Sequence, residues 1–181
     1  MTAELDSVLI SESELQARVK ALGRQISMDY DGRELVALCV LKGAVVFFTD
    51  LIRALSIPVC CEFIQLSSYG DRATSSGDVQ VVCPINASLS TKDVLIVEDI
   101  VDTGHTLNRL IEQIEAHRPA SVKVCSLLDK PAQRQVDTRL DYVGFEIPDM
   151  FVVGYGLDYA QRFRNLPYIA VLSSDEPERQ L

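Results

Sequence analysis

The chain has 181 residues, 48% of them hydrophobic, which is enough for one compact domain with a sizeable core and excludes a mainly disordered protein. Its formal net charge of −9 argues against a protein that holds nucleic acid by neutralising the phosphate backbone. No stretch approaches the roughly 20 apolar residues of a membrane-spanning helix, and the first residues lack the basic and apolar regions of a signal peptide. We therefore expect a cytoplasmic enzyme or binding domain with no membrane or nucleic-acid partner.

Hydrophobic spacing predicts the elements in chain order. The start of the first helix is indicated by Ser11 and Glu14, which have the spacing of a capping box, and apolar residues at helical spacing follow. Strand-like and helical stretches then alternate: strand 34–41, helix 44–55, strand 59–66, strand 93–97, helix 106–116 and strand 121–128. This alternation predicts an α/β fold with a parallel sheet. The continuous apolar runs at 35–41 and 94–97 are typical of central strands that are covered on both faces.

A polar, glycine-containing segment interrupts this alternation at residues 67–79. Its sequence, SSYGDRATSSGDV, predicts a long loop rather than a helix or strand. Loops of this length are often lids over a ligand, and a plain solvated connection is the alternative.

The cysteines form neither a disulfide pattern nor a metal-binding pattern. They are odd in number and lie in apolar stretches without CxxC or Cys/His ligand spacing: Cys39, Cys60, Cys61, Cys83 and Cys125. We expect small core or strand residues with free thiols. A bridge between Cys60 and Cys61 is not expected, because adjacent side chains on a strand point to opposite faces.

The stretch that carries most of the chemistry is VLIVEDIVDTGHTL, residues 94–107. Its apolar strand ends in Glu98 and Asp99, and a hydroxyl-rich turn with a glycine follows at the start of a helix. At the carboxyl edge of the sheet, the N–H groups of this turn and the Thr103 and Thr106 hydroxyls can bind a phosphate without a basic residue. The two carboxylates would repel that phosphate, so we expect them to contact sugar hydroxyls or a hard divalent cation. A capped helix with merely solvated acids is the alternative.

This stretch resembles the phosphoribosyl pyrophosphate signature of type I phosphoribosyltransferases. Further segments resemble the bacterial hypoxanthine and hypoxanthine-guanine phosphoribosyltransferases over nearly the whole chain: VLKGAVVF at 40–47, SSYGD at 67–71, LLDKP at 127–131 and GFEIPDMFVVGYGLDYAQRFRNLPY at 144–168. The resemblance implies a single domain with the type I phosphoribosyltransferase fold, in which a central, mostly parallel sheet is flanked by helices. The core would span about 34–130, and the N-terminal segment and about 131–181 would form a small hood, with a flexible loop.

The implied activity is purine salvage. The enzyme would transfer the 5-phosphoribosyl group from phosphoribosyl pyrophosphate to N9 of hypoxanthine, and of guanine, with Mg²⁺ as cofactor. The products would be IMP or GMP and pyrophosphate. The family resemblance also implies a homodimer or homotetramer.

The resemblance assigns the sugar and phosphate contacts to the stretch at 94–107. Glu98 and Asp99 would hold the ribose hydroxyls and, together with Asp158, would serve as metal ligands. The 5′-phosphate would lie against the turn formed by Asp102, Thr103, Gly104, His105 and Thr106. Asp102 would also lie near N7 of the purine and exchange its proton as N9 attacks the sugar. His105 is expected to be exposed rather than catalytic, because other family members carry various side chains at this position.

Other segments would contact the purine. Lys130 would donate to the purine 6-oxygen, Phe151 would stack on the ring, and Val152 would meet the edge of the ring through its backbone. Asp158 would also contact the purine. Hypoxanthine, guanine and xanthine share the 6-oxo group and differ at C2, where the backbone around Val152 would decide between them.

The pyrophosphate contacts would come from two parts of the chain. Lys42 and Gly43 would contact pyrophosphate after a cis peptide between Leu41 and Lys42. Arg164, near the end of the chain, would also bind it. A salt bridge between Asp158 and Arg164 is disfavoured on one helix face, because the two residues are six positions apart. In the loop at 67–79, Ser68 and Tyr69 would close over the site as a lid.

Three alternatives stay open at this point. Another phosphoribosyltransferase, including the pyrimidine-operon regulators of this fold, would share the sugar-phosphate motif but not LLDKP or IPDMFVVGYGLDY. A phosphoacceptor receiver domain also has an apolar strand that ends in acids, although its acids should lie near the start of the chain. A binding protein without activity would keep the motifs, and a coupled turnover assay would distinguish it.

Overall fold

The computed structural model describes residues 5–68, 79–83 and 88–173. Its helices and strands, in chain order, are β1 (Leu5–Ile10), α1 (Glu12–Asp29), β2 (Leu35–Leu41), α2 (Val45–Ala54), β3 (Val59–Ser68), β4 (Val79–Cys83), β5 (Asp93–Val101), α3 (His105–Glu115), β6 (Ser121–Asp129), β7 (Tyr142–Glu146), β8 (Val152–Val153) and β9 (Ile169–Leu172). A short 3₁₀ helix covers Pro131–Gln133. No helix in these ranges is long and apolar enough to cross a membrane.

The larger sheet has the strand order β4-β3-β2-β5-β6-β7. Strands β3, β2, β5, β6 and β7 run parallel to one another, and β4 pairs antiparallel with β3 at the edge. Helices α1 and α2 pack together on one face, and α3 packs on β6 on the other. The predicted α/β fold with a mostly parallel sheet is confirmed.

Successive residues of β2 show why the central strands have continuous apolar sequences. Leu35 and Ala37 belong to the buried cluster that includes α1 and α2, whereas Val36 and Leu38 belong to the cluster that includes α3. Because side chains alternate between faces, a strand with helices on both sides needs apolar residues at every position. The burial of this sheet holds the carboxyl ends of β2, β5 and β6 in one fixed edge.

Helix α1 begins as its sequence predicts. Ser11 is the N-cap residue, its Oγ accepts from the Glu14 backbone N–H, and the Glu14 carboxylate accepts from the Ser11 backbone N–H at 2.9 Å. This is the reciprocal arrangement of a capping box, and it lowers the pKa of Glu14 through the hydrogen bonds from Ser11. The helix then buries Leu15, Val19 and Leu22 against the sheet.

A smaller antiparallel sheet, in the order β1-β9-β8, joins the two ends of the described chain. Its strands were not predicted, because β8 has two residues and β9 has four, which is too short for a periodic pattern. Strand β7 belongs to the larger sheet. The predicted division into core and hood at about residue 130 stays a prediction.

Both ends of the predicted loop at 67–79 belong to strands. Strand β3 extends to Ser68 and β4 begins at Val79, and these two residues are antiparallel partners. Polar residues can continue a strand where it pairs at the sheet edge, so the loop prediction was wrong at both ends. Residues 69–78, which include Tyr69, lie outside the described residues, and the lid stays a prediction.

The thiols of Cys39, Cys60, Cys61 and Cys125 are free, as predicted. Cys39 and Cys125 are buried, and burial raises the pKa of Cys39 to about 12. Cys60 and Cys61 lie on β3 and are exposed.

Candidate active site

Two adjacent carboxylates lie near the end of β5, at the carboxyl edge of the parallel sheet. Glu98 is buried and Asp99 is half-buried. Burial, together with the neighbouring Asp99, raises the pKa of Glu98 well above its usual range, and burial raises the pKa of Asp99 to about 6. The Ile100 backbone N–H donates to Asp99 Oδ1 at 2.9 Å and partly offsets this effect. The positive charge of Arg164 also lowers the pKa of Asp99, but burial outweighs these effects, and a cation or sugar hydroxyls would stabilise the two carboxylates further.

The hydroxyl-rich turn lies directly after these carboxylates and opens α3. Gly104 has a φ of 90°, and its carbonyl accepts the Asn108 N–H at 3.0 Å, which begins the helical hydrogen bonding. A side chain at Gly104 would collide with Thr138 Oγ1. Glycine is needed here for both its φ and its lack of a Cβ. The first N–H groups of a helix have no partner within the helix, so those that open α3 are suited to bind a ligand.

The segment between β6 and β7 supports this turn from the outside. The Thr103 carbonyl accepts from the backbone N–H groups of Gln135 and Val136 at 3.1 and 3.3 Å. His105 is exposed, as expected, and its Nε2 lies 3.3 Å from Gln135 Oε1. This supporting segment was not recognised in the sequence, because it has no periodic pattern and its contacts to the turn are mainly made by backbone groups.

A cavity of about 380 Å³ is centred on the turn and on the ends of β2 and β5. Its lining residues are Val40, Leu41, Leu66, Glu98, Ile100, Val101, Asp102, Thr103, Gly104, Thr106 and Leu107. It holds most of the residues that were predicted to bind ribose and phosphate. Its apolar lining residues come from the carboxyl ends of β2, β3 and β5, and Leu107 comes from the first turn of α3.

Lys130 and Asp102 meet beside this cavity. Lys130 Nζ lies 3.7 Å from Asp102 Oδ1, and the Lys130 side chain is 7% exposed whereas that of Asp102 is 50% exposed. The Lys130 backbone N–H donates to the Val101 carbonyl at 3.0 Å, which holds the two chain segments together. A buried ammonium group needs an acceptor, and it can share its donors between Asp102 and a ligand.

The turn after β2 brings the backbone close to the two carboxylates. The Leu41–Lys42 peptide is cis, as the resemblance implied. Gly43 lies against Asp99, so that a side chain at Gly43 would collide with the Asp99 carboxylate. Lys42 is exposed, and its carbonyl accepts the Val45 N–H at 3.3 Å as α2 begins.

Asp158 and Arg164 form an ion pair, with Arg164 Nη2 2.6 Å from Asp158 Oδ1. The prediction that their spacing disfavours a direct pair was wrong. The spacing rule holds for a helix, whereas this segment consists of turns, and Arg164 Nη1 also donates to the Gly156 carbonyl at 2.7 Å. Asp158 Oδ2 accepts the Gln161 N–H at 2.8 Å. Within residues 5–68, 79–83 and 88–173, no group of three or more His, Cys, Asp or Glu side chains forms a metal site, so Asp158 does not join Glu98 and Asp99 in one cluster.

The remaining predicted purine contacts lie on and beside β8. Phe151 is 37% exposed, and its ring meets the edge of Tyr159 at a centroid distance of 5.7 Å. Val152 is buried and pairs with Val171 of β9, while the Phe151 carbonyl accepts the Leu172 N–H at 2.9 Å. An aromatic face is therefore available at the surface, on a backbone that the smaller sheet holds.

The family model for the phosphoribosyl transferase domain matches residues 11–160. The chain belongs to the phosphoribosyltransferase family. It is 46% identical to the hypoxanthine-guanine phosphoribosyltransferase of Bacillus subtilis, over 95% of this chain and 96% of that protein. It is also 47% identical, over 97% of its length, to the bifunctional protein TilS/HprT of Listeria monocytogenes, and the chain spans 27% of the length of that relative.

Solved phosphoribosyltransferase structures have the same fold. A hypoxanthine-guanine phosphoribosyltransferase from Bacillus anthracis matches with a TM-score of 0.90 and 46% identity, over 94% of this chain and 100% of that one. A hypoxanthine phosphoribosyltransferase from Staphylococcus aureus matches with a TM-score of 0.90 and 43% identity, over 93% of this chain and 92% of the other. The phosphoribosyltransferase fold is confirmed, and the receiver-domain alternative is excluded.

Proposed function

We propose that this phosphoribosyltransferase acts in purine salvage and transfers the 5-phosphoribosyl group from phosphoribosyl pyrophosphate to N9 of hypoxanthine and guanine, giving IMP or GMP and pyrophosphate. The observation that carries the proposal is the buried Lys130 ammonium group 3.7 Å from Asp102, beside the phosphate-binding turn. The 6-oxygen and N7 are neighbouring atoms on one edge of a 6-oxopurine. Lys130 can donate to the 6-oxygen and Asp102 can accept the proton of N7, so the pair of residues matches that edge.

Asp102 is the proposed general base. As N9 attacks the sugar, the purine must lose a proton, and a carboxylate at N7 accepts it. Lys130 donates to the 6-oxygen, so it selects 6-oxopurines and stabilises negative charge on the base. Phe151 packs on the ring, and Val152 supplies backbone groups at the opposite edge.

The ribose and its 5′-phosphate occupy the cavity on the turn. Thr103 and Thr106 hydroxyls, with the backbone N–H groups at the start of α3, hold the phosphate. Glu98 and Asp99 accept hydrogen bonds from the ribose hydroxyls, which relieves the cost of their burial. Their negative charge also favours the positive charge that develops on the ribose ring as the glycosidic bond breaks.

Pyrophosphate leaves between two parts of the protein, the turn at Lys42 and Gly43 and the Arg164 side chain. Mg²⁺ is the proposed cofactor, and when bound it would neutralise part of the pyrophosphate charge. The chemistry of the donor set fits it: Glu98 is buried, Asp99 is half-buried, and burial raises the pKa of both carboxyls. Asp158, which does not cluster with that pair within the described residues, would hold a separate Mg²⁺ through a lone pair that its contacts with Arg164 and Gln161 leave free.

Water would compete with the purine for the activated sugar. We propose that the segment at 67–79, with Ser68 and Tyr69, closes over the site and excludes it, and that the segments flanking 34–130 act as a hood. The expected result is slower amide exchange across this loop when phosphoribosyl pyrophosphate, Mg²⁺ and a purine analogue are bound together. Equal protection with and without ligands would mean a fixed connection.

The proposed assembly is a homodimer or homotetramer in the cytoplasm, and light scattering measures the assembly directly.

Steady-state turnover with hypoxanthine, guanine, xanthine and adenine, each with phosphoribosyl pyrophosphate and Mg²⁺, tests the proposed function. Formation of IMP and GMP is the expected result. No turnover with any purine, although phosphoribosyl pyrophosphate binds, would instead indicate a binding protein. Uracil is assayed in the same way, and turnover with uracil but with none of the purines would indicate a different phosphoribosyltransferase.

A further inference from the structure

Three consecutive residues, 154–156, have positive φ angles in the segment that precedes Asp158 and Arg164. Gly154 and Gly156 have φ of 102° and 104°, and Tyr155 between them has φ of 51°. Glycine adopts such angles at little cost, whereas a bulky residue does so only where the surrounding structure holds it there. We call residues 154–156 the left-handed arch.

The Tyr155 side chain provides a contact that holds the arch. Tyr155 is 5% exposed, and its Oη donates to Asp50 Oδ2 on α2 at 2.6 Å. Its backbone N–H donates to the Leu166 carbonyl at 2.9 Å. Burial and the bond to Asp50 raise the pKa of Tyr155, so the phenol keeps its proton and remains a donor at neutral pH.

The arch touches both parts of the protein that are proposed to hold pyrophosphate. Gly156 lies so close to the turn after β2 that a side chain there would collide with the Gly43 carbonyl. The Gly156 carbonyl accepts from Arg164 Nη1 at 2.7 Å, and its N–H donates to the Arg164 carbonyl at 3.0 Å. A displacement of the arch therefore changes the position of Arg164 relative to Gly43.

Asp50 gives the left-handed arch a second connection to the Lys42–Gly43 turn, in addition to the contact between Gly156 and Gly43. Helix α2 carries Asp50 and begins directly after the turn, where the Val45 N–H donates to the Lys42 carbonyl. The Tyr155–Asp50 bond thus joins the arch to the helix that directly follows the Lys42–Gly43 turn. We propose that Tyr155, through Asp50, is a positioning residue that fixes the separation between the Lys42–Gly43 turn and Arg164, and so sets the affinity for the pyrophosphate end of the substrate. This inference rests on the proposed function.

Tyr142 provides a matched control. It is 3% exposed, and its Oη donates to Asp29 Oδ2 at 2.6 Å, the same length as the Tyr155–Asp50 bond. Tyr142 is the first residue of β7 and therefore lies at the opposite end of the strands from the proposed site. Tyr155→Phe and Tyr142→Phe each remove one buried phenol donor and keep the ring.

The experiment compares the KM values for the two substrates in these variants. If the free energy of this one hydrogen bond is expressed at the pyrophosphate end of the substrate, Tyr155→Phe should raise the KM for phosphoribosyl pyrophosphate about tenfold and leave that for hypoxanthine unchanged. Tyr142→Phe should change neither KM. Asp50→Asn, which retains an acceptor, should resemble the wild type more closely than Asp50→Ala does. A KM for phosphoribosyl pyrophosphate that rises equally in both tyrosine variants would overturn the inference, as would an equal rise in both KM values of Tyr155→Phe.

Calorimetric titration with inorganic pyrophosphate and Mg²⁺ separates this inference from the proposed function. If the wild type binds pyrophosphate but does not turn over hypoxanthine, the proposed function is wrong while the positioning role is still measurable. Weaker pyrophosphate binding by Tyr155→Phe than by Tyr142→Phe would then support the inference. Equal binding by the two variants would overturn it.

Discussion

Lys130 and Asp102 are brought together by strand register. Val101 of β5 and Asp129 of β6 are partners in the parallel ladder, and each of the two functional residues comes next in its strand's sequence. Lys130 Nζ therefore lies 3.7 Å from Asp102 Oδ1, with the ammonium group buried and the carboxylate half-exposed. In the proposed function the two groups would act on one purine edge, Lys130 as a donor and Asp102 as a proton acceptor, and the strand register places both within reach of it.

Replacing Asp102 with Asn should abolish most of the turnover while the protein folds normally. An amide cannot accept the N7 proton, and positioned acid-base groups contribute roughly 10² to 10⁴-fold to rate. Binding of phosphoribosyl pyrophosphate, measured by calorimetry, should survive, because the turn N–H groups do not depend on that charge. Asp137→Asn, which removes the same charge from an exposed position of the neighbouring segment, is the control. Wild-type kcat in Asp102→Asn would refute the general-base role.

Adenine should be a very poor substrate. Lys130 offers only donors, so in a buried place it would face the donor 6-amino group of adenine with no acceptor between them. A site built to hydrogen-bond one substrate group lowers kcat/KM by about 10⁴-fold or more for an analogue that lacks this group. The kcat/KM values for hypoxanthine and adenine should differ by that order. Lys130→Gln, which carries both a donor and an acceptor, should narrow the ratio. Similar kcat/KM values for the two bases in the wild type would exclude the proposed role of Lys130.

Gly104→Ala should both destabilise the protein and weaken phosphate binding. Its positive φ disfavours alanine by about 1 kcal/mol or more, and the new methyl group would collide with Thr138. Gly32→Ala is the control, because Gly32 has a φ of 71° with no atom near its missing Cβ. Urea unfolding should show a larger loss for Gly104→Ala, and only that variant should raise the KM for phosphoribosyl pyrophosphate. Equal losses in the two variants would mean that contact with Thr138 is unimportant.

Glu98→Gln should stabilise the ligand-free protein and impair its function. Burial beside Asp99 raises the pKa of Glu98, which means that its negative charge costs folding free energy at neutral pH. The neutral amide removes that cost, so Tm at pH 7.5 should rise, while affinity for phosphoribosyl pyrophosphate should fall because a ribose contact is weakened. Glu112→Gln, at an exposed position of α3, should change neither quantity. An unchanged or lower Tm in Glu98→Gln would show that the carboxylate pair is satisfied within the protein.

The hydrogen bond from Tyr142 to Asp29 should make stability depend on acid pH. This bond, with a smaller contribution from Lys123, lowers the pKa of Asp29 below 3.8. A carboxyl whose folded pKa is depressed stabilises the protein above its unfolded pKa, and this stabilisation is lost as pH falls through the folded value. The difference in unfolding free energy between wild type and Asp29→Asn should thus be constant at pH 5–7 and shrink below about pH 4. Exposed Asp31→Asn is the control, and a difference that does not change with pH would contradict the assignment.

Long periodic or continuous apolar patterns in the sequence were enough to predict α1, the central strands and α3, and to place Glu98, Asp99 and the turn at one sheet edge. These follow from local rules: side-chain periodicity, the capping box, and the position of a turn after a buried strand. The motifs at 40–47, 94–107 and 144–168 also indicated the family, which the comparisons confirmed.

The contacts between residues far apart in the sequence could be read only from the folded chain. The lengths of β8 and β9 are set by pairing with each other and with β1, and two to six residues carry no periodic signal of their own. The Asp158–Arg164 pair depends on turns whose φ angles the sequence does not reveal. The bond from Tyr155 to Asp50 joins residues from different layers of the fold. Contacts of this kind arise from packing of the whole chain, because a side chain's partner is fixed by where two elements dock and not by the residues beside it in sequence.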